Sequence, residues 1–177
     1  MGRGIAQVFA YAGHDITIID FKERNEQESL NLIREAKAEI KENLEFLESL
    51  DVISASDIEP IIDKIKGVSL GEAEYVLESA DYIFEGVPEV LEAKKDAIKR
   101  ASILASDRTI IASTTSTMLV TQLMEYSSRP ENFLNAHFLN PAYLIPLVEV
   151  SPSEKTDQNH LKKFLALLES IGKSTVT

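Results

Sequence analysis

The sequence predicts an α/β domain with a doubly wound, mainly parallel sheet, and two observations support this. Short β-branched runs alternate with longer amphipathic helical patterns from end to end. The runs are nearly all apolar rather than alternating, as in strands covered on both faces. No internal repeat, low-complexity tract or linker interrupts the pattern, so residues 1–177 read as one domain.

The chain opens directly in a helical pattern, Ile5, Val8, Phe9 and Ala12, closed by Gly13. Residues 15–20, DITIID, read as a buried parallel strand. A strongly charged helix over about 22–50 carries its apolar positions at Leu30, Ile33, Ala36, Ile40, Leu44 and Leu47. It exceeds the usual globular length, so part of it is expected to project. Ser56 is placed to cap the next helix, through Ile58, Ile61, Ile62 and Ile65, completing a long helical hairpin inserted after the strand. Residues 67–70 form a weak strand, 72–79 a short helix and 81–87 a strand, with Pro88 opening a helix to about Ala105. A strand over 109–112 leads into the polar run 113–117 and a short helix over 119–124. Strands over 133–138 and 146–150, a helix over 154–171 closed by Gly172, and a strand over 174–176 complete the order.

Hydrophobic residues make up 44% and charged residues 27%, ordinary for a soluble protein. No apolar run reaches the roughly 20 residues that span a bilayer. The first residues lack a basic region and a cleavage site. The absence of cysteine rules out disulfides and thiolate metal sites within these residues. A cytoplasmic location, no resident metal and no membrane partner are the resulting expectations. The formal net charge of −11 argues against a nucleic-acid partner, and Lys94-Lys95 and Lys162-Lys163 read as solvated helix faces. An acidic protein that holds an anionic ligand must do so locally, through backbone N–H groups at a helix N-terminus.

The opening fits the tail of a glycine-rich phosphate motif, in which a strand runs into G-x-G-x-x-G and a helix, with an acidic residue after the next strand. Gly2 stands at the third glycine, where helix and strand approach closely, and Asp20 ends the following strand, placed to bond an adenosine ribose. The same two residues fit equally a chance glycine and a helix cap. On the cofactor reading the fold is Rossmann-type with its first strand missing, and Asp20 favours NAD over NADP because a carboxylate repels a 2′-phosphate.

Two further motifs carry a specific resemblance. Met1-Gly2-Arg3-Gly4-Ile5-Ala6-Gln7 resembles the G-x-M-G-x-G-I-A-Q opening of the 3-hydroxyacyl-CoA dehydrogenase family, and Ala136-His137-Phe138-Leu139-Asn140-Pro141 followed by Leu147-Val148-Glu149-Val150 resembles its H-F-x-N-P and L-V-E-V. The resemblance implies NAD-dependent oxidation of the 3-hydroxyl of a 3-hydroxyacyl-CoA to the 3-ketoacyl-CoA, with His137 as base. It implies that Glu149 orients the imidazole, that Ser116 touches the substrate hydroxyl and that Asn140 borders nicotinamide or substrate. Glu89 and Lys94 match a family Glu and Lys that contact the cofactor, although a helix first turn accounts for Glu89 about as well.

The sequence also departs from the family's pattern. It begins inside the phosphate motif, so a strand carrying the first two glycines is expected ahead of it in the complete enzyme, and the family's C-terminal helical domain is not in this sequence. The complete protein is expected to be a homo-oligomer, a dimer by the resemblance. The chain alone is expected to bind NAD weakly, turn over little and self-associate through open strand edges. Where family members hold CoA with Ser and Lys, this chain has Ala36 and Asn43, with Lys37 or Lys41 as substitutes. The segment 140–146 also looks like relatives that oxidise free hydroxy acids of the gulonate or carnitine type. A non-catalytic, truncated domain is the remaining alternative.

Overall fold

The computed structural model describes all 177 residues, and the chain divides into two compact units. One is Arg3–Ala73; the other is Met1–Gly2 together with Glu74–Thr177.

In the first unit, helix α1 (Gly2–Tyr11) buries Ile5, Val8, Phe9 and Ala10. It is followed by Gly13 at φ 93°, a left-handed conformation suited to glycine. Strand β1 (Ile16–Ile19) pairs in parallel with β2 (Ile65–Val68), Ile16 opposite Ile65. Between them lie α2 (Glu26–Ser49) and α3 (Ala55–Asp63), the expected helical hairpin. Asn25 caps α2 by accepting from the Glu28 N–H, and Glu26 and Glu28 complement the helix dipole. Ala36, Ile40, Leu44 and Leu47, spaced three and four apart, form its buried stripe. The cap of α3 is Ser54 rather than Ser56. Asp57 accepts from the Ser54 N–H at 2.9 Å, while Glu59, the acid that a Ser56 cap would use, pairs with Lys41 on α2.

The second unit is built on a five-stranded sheet, β3 (Tyr82–Glu85), β4 (Ile110–Ser113), β5 (Phe133–Phe138), β6 (Leu147–Pro152) and β7 (Ser174–Val176), in that spatial order. All neighbours run parallel except β5 and β6. Helix α4 (Ala73–Ser79) precedes β3, α5 (Leu91–Leu104) links β3 to β4, α6 (Val120–Leu123) precedes β5, and α7 (Gln158–Ser170) links β6 to β7. Ile98, Ala105, Ile111, Leu123, Met124 and Phe133 form a buried cluster. Phe164 of α7 lies fully buried against the rings of Tyr82 and Phe84, at centroid distances of 6.2 and 5.7 Å.

Two further helix starts differ from the sequence expectation for local reasons. Helix α5 begins at Leu91, not at Pro88, because the Glu85 carboxylate accepts from the Val87 N–H at 2.9 Å and the chain then turns, with the Val90 N–H donating to the Pro88 carbonyl at 2.7 Å. Helix α7 begins at Gln158, not 154, because Asp157 accepts from the N–H groups of Asn159 and His160. Phe164→Ala is expected to lower stability by about 3–5 kcal/mol, from lost apolar contact plus the cavity left behind. Chemical denaturation checks this, and a loss below about 1 kcal/mol would show that the core refills the space.

Candidate active site

The antiparallel pair β5–β6 sorts its residues by face. Ala136, Phe138, Val148 and Val150 are all but completely buried, whereas Asn135 and His137 face the other way, directly opposite Ser151 and Glu149. His137 Nδ1 lies 2.8 Å from Glu149 Oε2. A carboxylate has no hydrogen to give, so Nδ1 carries the proton and donates it, and in the neutral ring the Nε2 lone pair is then the acceptor. The two side chains are 22% and 53% exposed, so the pair is reachable from solvent. They line a cleft of about 280 Å³ together with Asn135, Ser151 and the loop after β4, including Ser116. Asn140, expected at the site, is exposed next to Pro141 and is not part of that lining.

The loop after β4 is held by Glu89. Its Oε1 accepts from the Ser116 and Thr117 N–H groups at 3.1 and 3.2 Å and from the hydroxyls of Thr115 and Thr117. Its Oε2 lies 3.3 Å from Lys94 Nζ. Lys94 is not the solvated helix face that the sequence had suggested. It is 1% exposed, and its ammonium lies between both Glu85 oxygens, at 3.0 and 3.2 Å, and Glu89. Glu85, which sequence reasoning missed, also accepts from the Ser113 hydroxyl at 2.7 Å and so joins the ends of β3 and β4. A charged residue closing an apolar strand, DYIFEG, was the available signal.

Desolvation alone would raise the Glu89 pKa, but hydrogen bonds from Thr115 and Thr117 and the Lys94 charge outweigh it and bring the carboxyl down to about 2. A depressed carboxyl pKa stabilises the folded state above the unfolded value of about 4.3, and the contribution is lost as pH falls through the folded value.

Of the remaining expected residues, Gly2 opens α1, yet a Cβ on Gly2 would meet nothing. The steric demand falls on Gly86, where a Cβ would come within 3.2 Å of Gly2 Cα and 3.3 Å of its N. In the other unit, Asp20 follows β1 and uses one oxygen, Oδ2, for both the Ser29 hydroxyl (2.7 Å) and Arg24 Nε (3.2 Å). Its Oδ1 is left for a ribose hydroxyl, and the α1 N-terminus offers backbone N–H groups to phosphate, so the residues present fit a dinucleotide.

A mostly parallel Rossmann-like sheet with such a cleft is an arrangement found in nicotinamide-dependent dehydrogenase domains. Residues 1–177 match the family model described as 3-hydroxyacyl-CoA dehydrogenase, NAD binding domain. The chain belongs to that family, and NAD is its cofactor. It is 33% identical to the mitochondrial hydroxyacyl-coenzyme A dehydrogenase of Sus scrofa, covering 100% of this chain and 55% of the relative. It is 29% identical to the probable 3-hydroxybutyryl-CoA dehydrogenase of Bacillus subtilis, covering 99% and 58%. The crystal structure of (S)-3-hydroxybutyryl-CoA dehydrogenase from Ralstonia eutropha superposes with a TM-score of 0.90 at 26% identity, over 100% of this chain and 59% of that one. The chain thus spans a little over half the length of these relatives.

Glu89→Ala is expected to free the loop. Hydrogen exchange at the Ser116 and Thr117 amides should rise at least tenfold while the β4 and β5 amides keep their protection. Unchanged exchange at 116 and 117 would show that the loop holds itself. For Glu89→Gln, the stability deficit against the wild type should be constant above about pH 5 and shrink between about pH 4.3 and 2. A pH-independent deficit in urea titrations would contradict the assigned charge interaction.

Proposed function

We propose that the complete protein oxidises the 3-hydroxyl of a 3-hydroxyacyl-CoA to the ketone, with His137 as base. The His137–Glu149 contact at 2.8 Å carries this reading. The substrate carbinol enters the cleft and His137 Nε2 takes its hydroxyl proton. Glu149 fixes the ring through Nδ1–H and stabilises the imidazolium that forms. Ser116, on the loop held by Glu89, offers a hydroxyl to the carbinol oxygen. When bound, NAD accepts the hydride that leaves the same carbon. Asp20 is proposed to receive the adenosine ribose, the α1 N-terminus at Gly2 the pyrophosphate, and Asn140 to border the reactants from outside the lining. Glu89 and Lys94 support the cofactor side through the loop that they hold. A cytoplasmic dimer acting in fatty-acid β-oxidation is the setting that this reading suggests.

A second reading, oxidation of a free hydroxy acid, is favoured by one observation. Ala36 is buried, the half-buried Asn43 donates to Gln7 at 3.1 Å, and Lys41 is paired with Glu59, which leaves the half-buried Lys37 as the remaining substitute for holding CoA. Steady-state rates on 3-hydroxybutyryl-CoA against 3-hydroxybutyrate decide between the two.

In the complete enzyme His137→Gln is expected to lower turnover by about 10²–10⁴-fold with little change in NAD affinity. Near-normal turnover would remove His137 from the mechanism. Asp20→Ser is expected to weaken NAD and narrow its advantage over NADP, the more so because Arg24 loses its carboxylate partner and becomes available to a 2′-phosphate. Dissociation constants for both cofactors check this, and a wild-type preference for NADP would contradict it.

A further inference from the structure

Asn135 is 8% exposed in the middle of β5, and it sits on the same face as His137, two residues away. Its Nδ2 donates to the Thr115 carbonyl oxygen at 3.3 Å. That partner only accepts, so the amide orientation is set and Oδ1 is the group left over. Oδ1 is sealed from solvent and has no hydrogen-bond partner. A buried amide oxygen without a donor is unfavourable, and native proteins rarely keep one without a use. Here Asn135 lines the cleft that holds His137, Glu149 and Ser116, and the residue opposite it, Ser151, leaves its Oδ1 unpaired.

We infer that Asn135 is a specificity-determining residue whose Oδ1 accepts a hydrogen bond from the bound reactants; the inference rests on the dehydrogenase reading above. The donor is not the carbinol hydrogen, which goes to His137 Nε2. It is a second N–H or O–H close to the reacting carbon, and two sources carry that chemistry: the carboxamide of the nicotinamide, and a second hydroxyl on the substrate next to the carbinol. A site with a buried acceptor discriminates strongly against a ligand that lacks the matching donor, because the acceptor then stays unpaired.

The experiment has two arms in the complete enzyme, each comparing wild type with Asn135→Ala, and with Asn135→Ser as a second variant should the first not fold. In the cofactor arm, calorimetry measures the affinity of NAD against 3-acetylpyridine adenine dinucleotide, which lacks the amide N–H. In the substrate arm, kcat/KM is compared for 3-hydroxybutyryl and 3,4-dihydroxybutyryl substrates, as thioesters or as free acids, whichever are turned over. The wild type is expected to favour the donor-bearing ligand about tenfold or more in one arm, and the variants to lose that preference. The arm that responds identifies the source. No preference in either arm, or a preference that survives both substitutions, overturns the inference. Because His137→Gln is read separately, loss of turnover there with silent Asn135 arms would sink this inference alone, whereas retained turnover would sink the dehydrogenase mechanism itself.

Discussion

The site depends on one constraint, the register of β5 against β6. The strands are antiparallel, with His137 opposite Glu149 and Asn135 opposite Ser151. Side chains alternate faces along a strand, so a slip of β6 by one residue would turn Glu149 into the apolar layer, away from His137, and bring Val148 and Val150 out. The apolar face opposes such a slip, since Ala136, Phe138, Val148 and Val150 are all but fully buried. The register is also fixed from both ends. The Thr156 hydroxyl donates to the Phe133 carbonyl at 2.7 Å, and Lys173 donates to the carbonyls of Ala142 and Ile145 in the connection between the strands. Burial pushes the Lys173 ammonium pKa down, a cost accepted where two carbonyl oxygens receive its hydrogens.

A second layer of support is ionic. Glu85, Lys94 and Glu89 form a chain of charges from the end of β3, through α5, to the loop carrying Ser116. Breaking a buried pair by removing one partner costs more than the pair contributes, because a charge is then left alone. That asymmetry makes the chain a stiff support. The Ser116 loop is gripped by a carboxylate just ahead of α5, whose own lysine is gripped from the sheet, so its position is tied to rigid elements rather than to its own turn.

The alternation of apolar runs and amphipathic stripes made the architecture legible, including the glycines that close two helices and the hairpin between β1 and β2. Helix starts were less legible, because competing caps lie within a few residues. Ser54 and Ser56 are both followed three residues later by an acid, and in the structure Asp57 closes the cap with Ser54 while Glu59 pairs with Lys41. His137 and Glu149 were legible through their motifs. Lys94 was misread because a lysine beside another lysine on a helix resembles a solvated face. Its burial follows from Glu85, a partner nine residues earlier on a different element. Asn135 and Ser151 were invisible one at a time, since only the strand register places them beside the histidine.

The central claim is that in the neutral ring Glu149 holds the His137 proton on Nδ1, which leaves Nε2 bare as the acceptor. Nitrogen-15 NMR of the neutral histidine ring tests this most directly. The account predicts the neutral Nδ1–H tautomer for His137, with Nε2 bare. It also predicts that this tautomer loses its dominance when Glu149 is replaced by alanine. A ring protonated on Nε2 in the neutral wild-type protein would contradict the account, because the nitrogen facing the substrate would then have no lone pair to receive its proton.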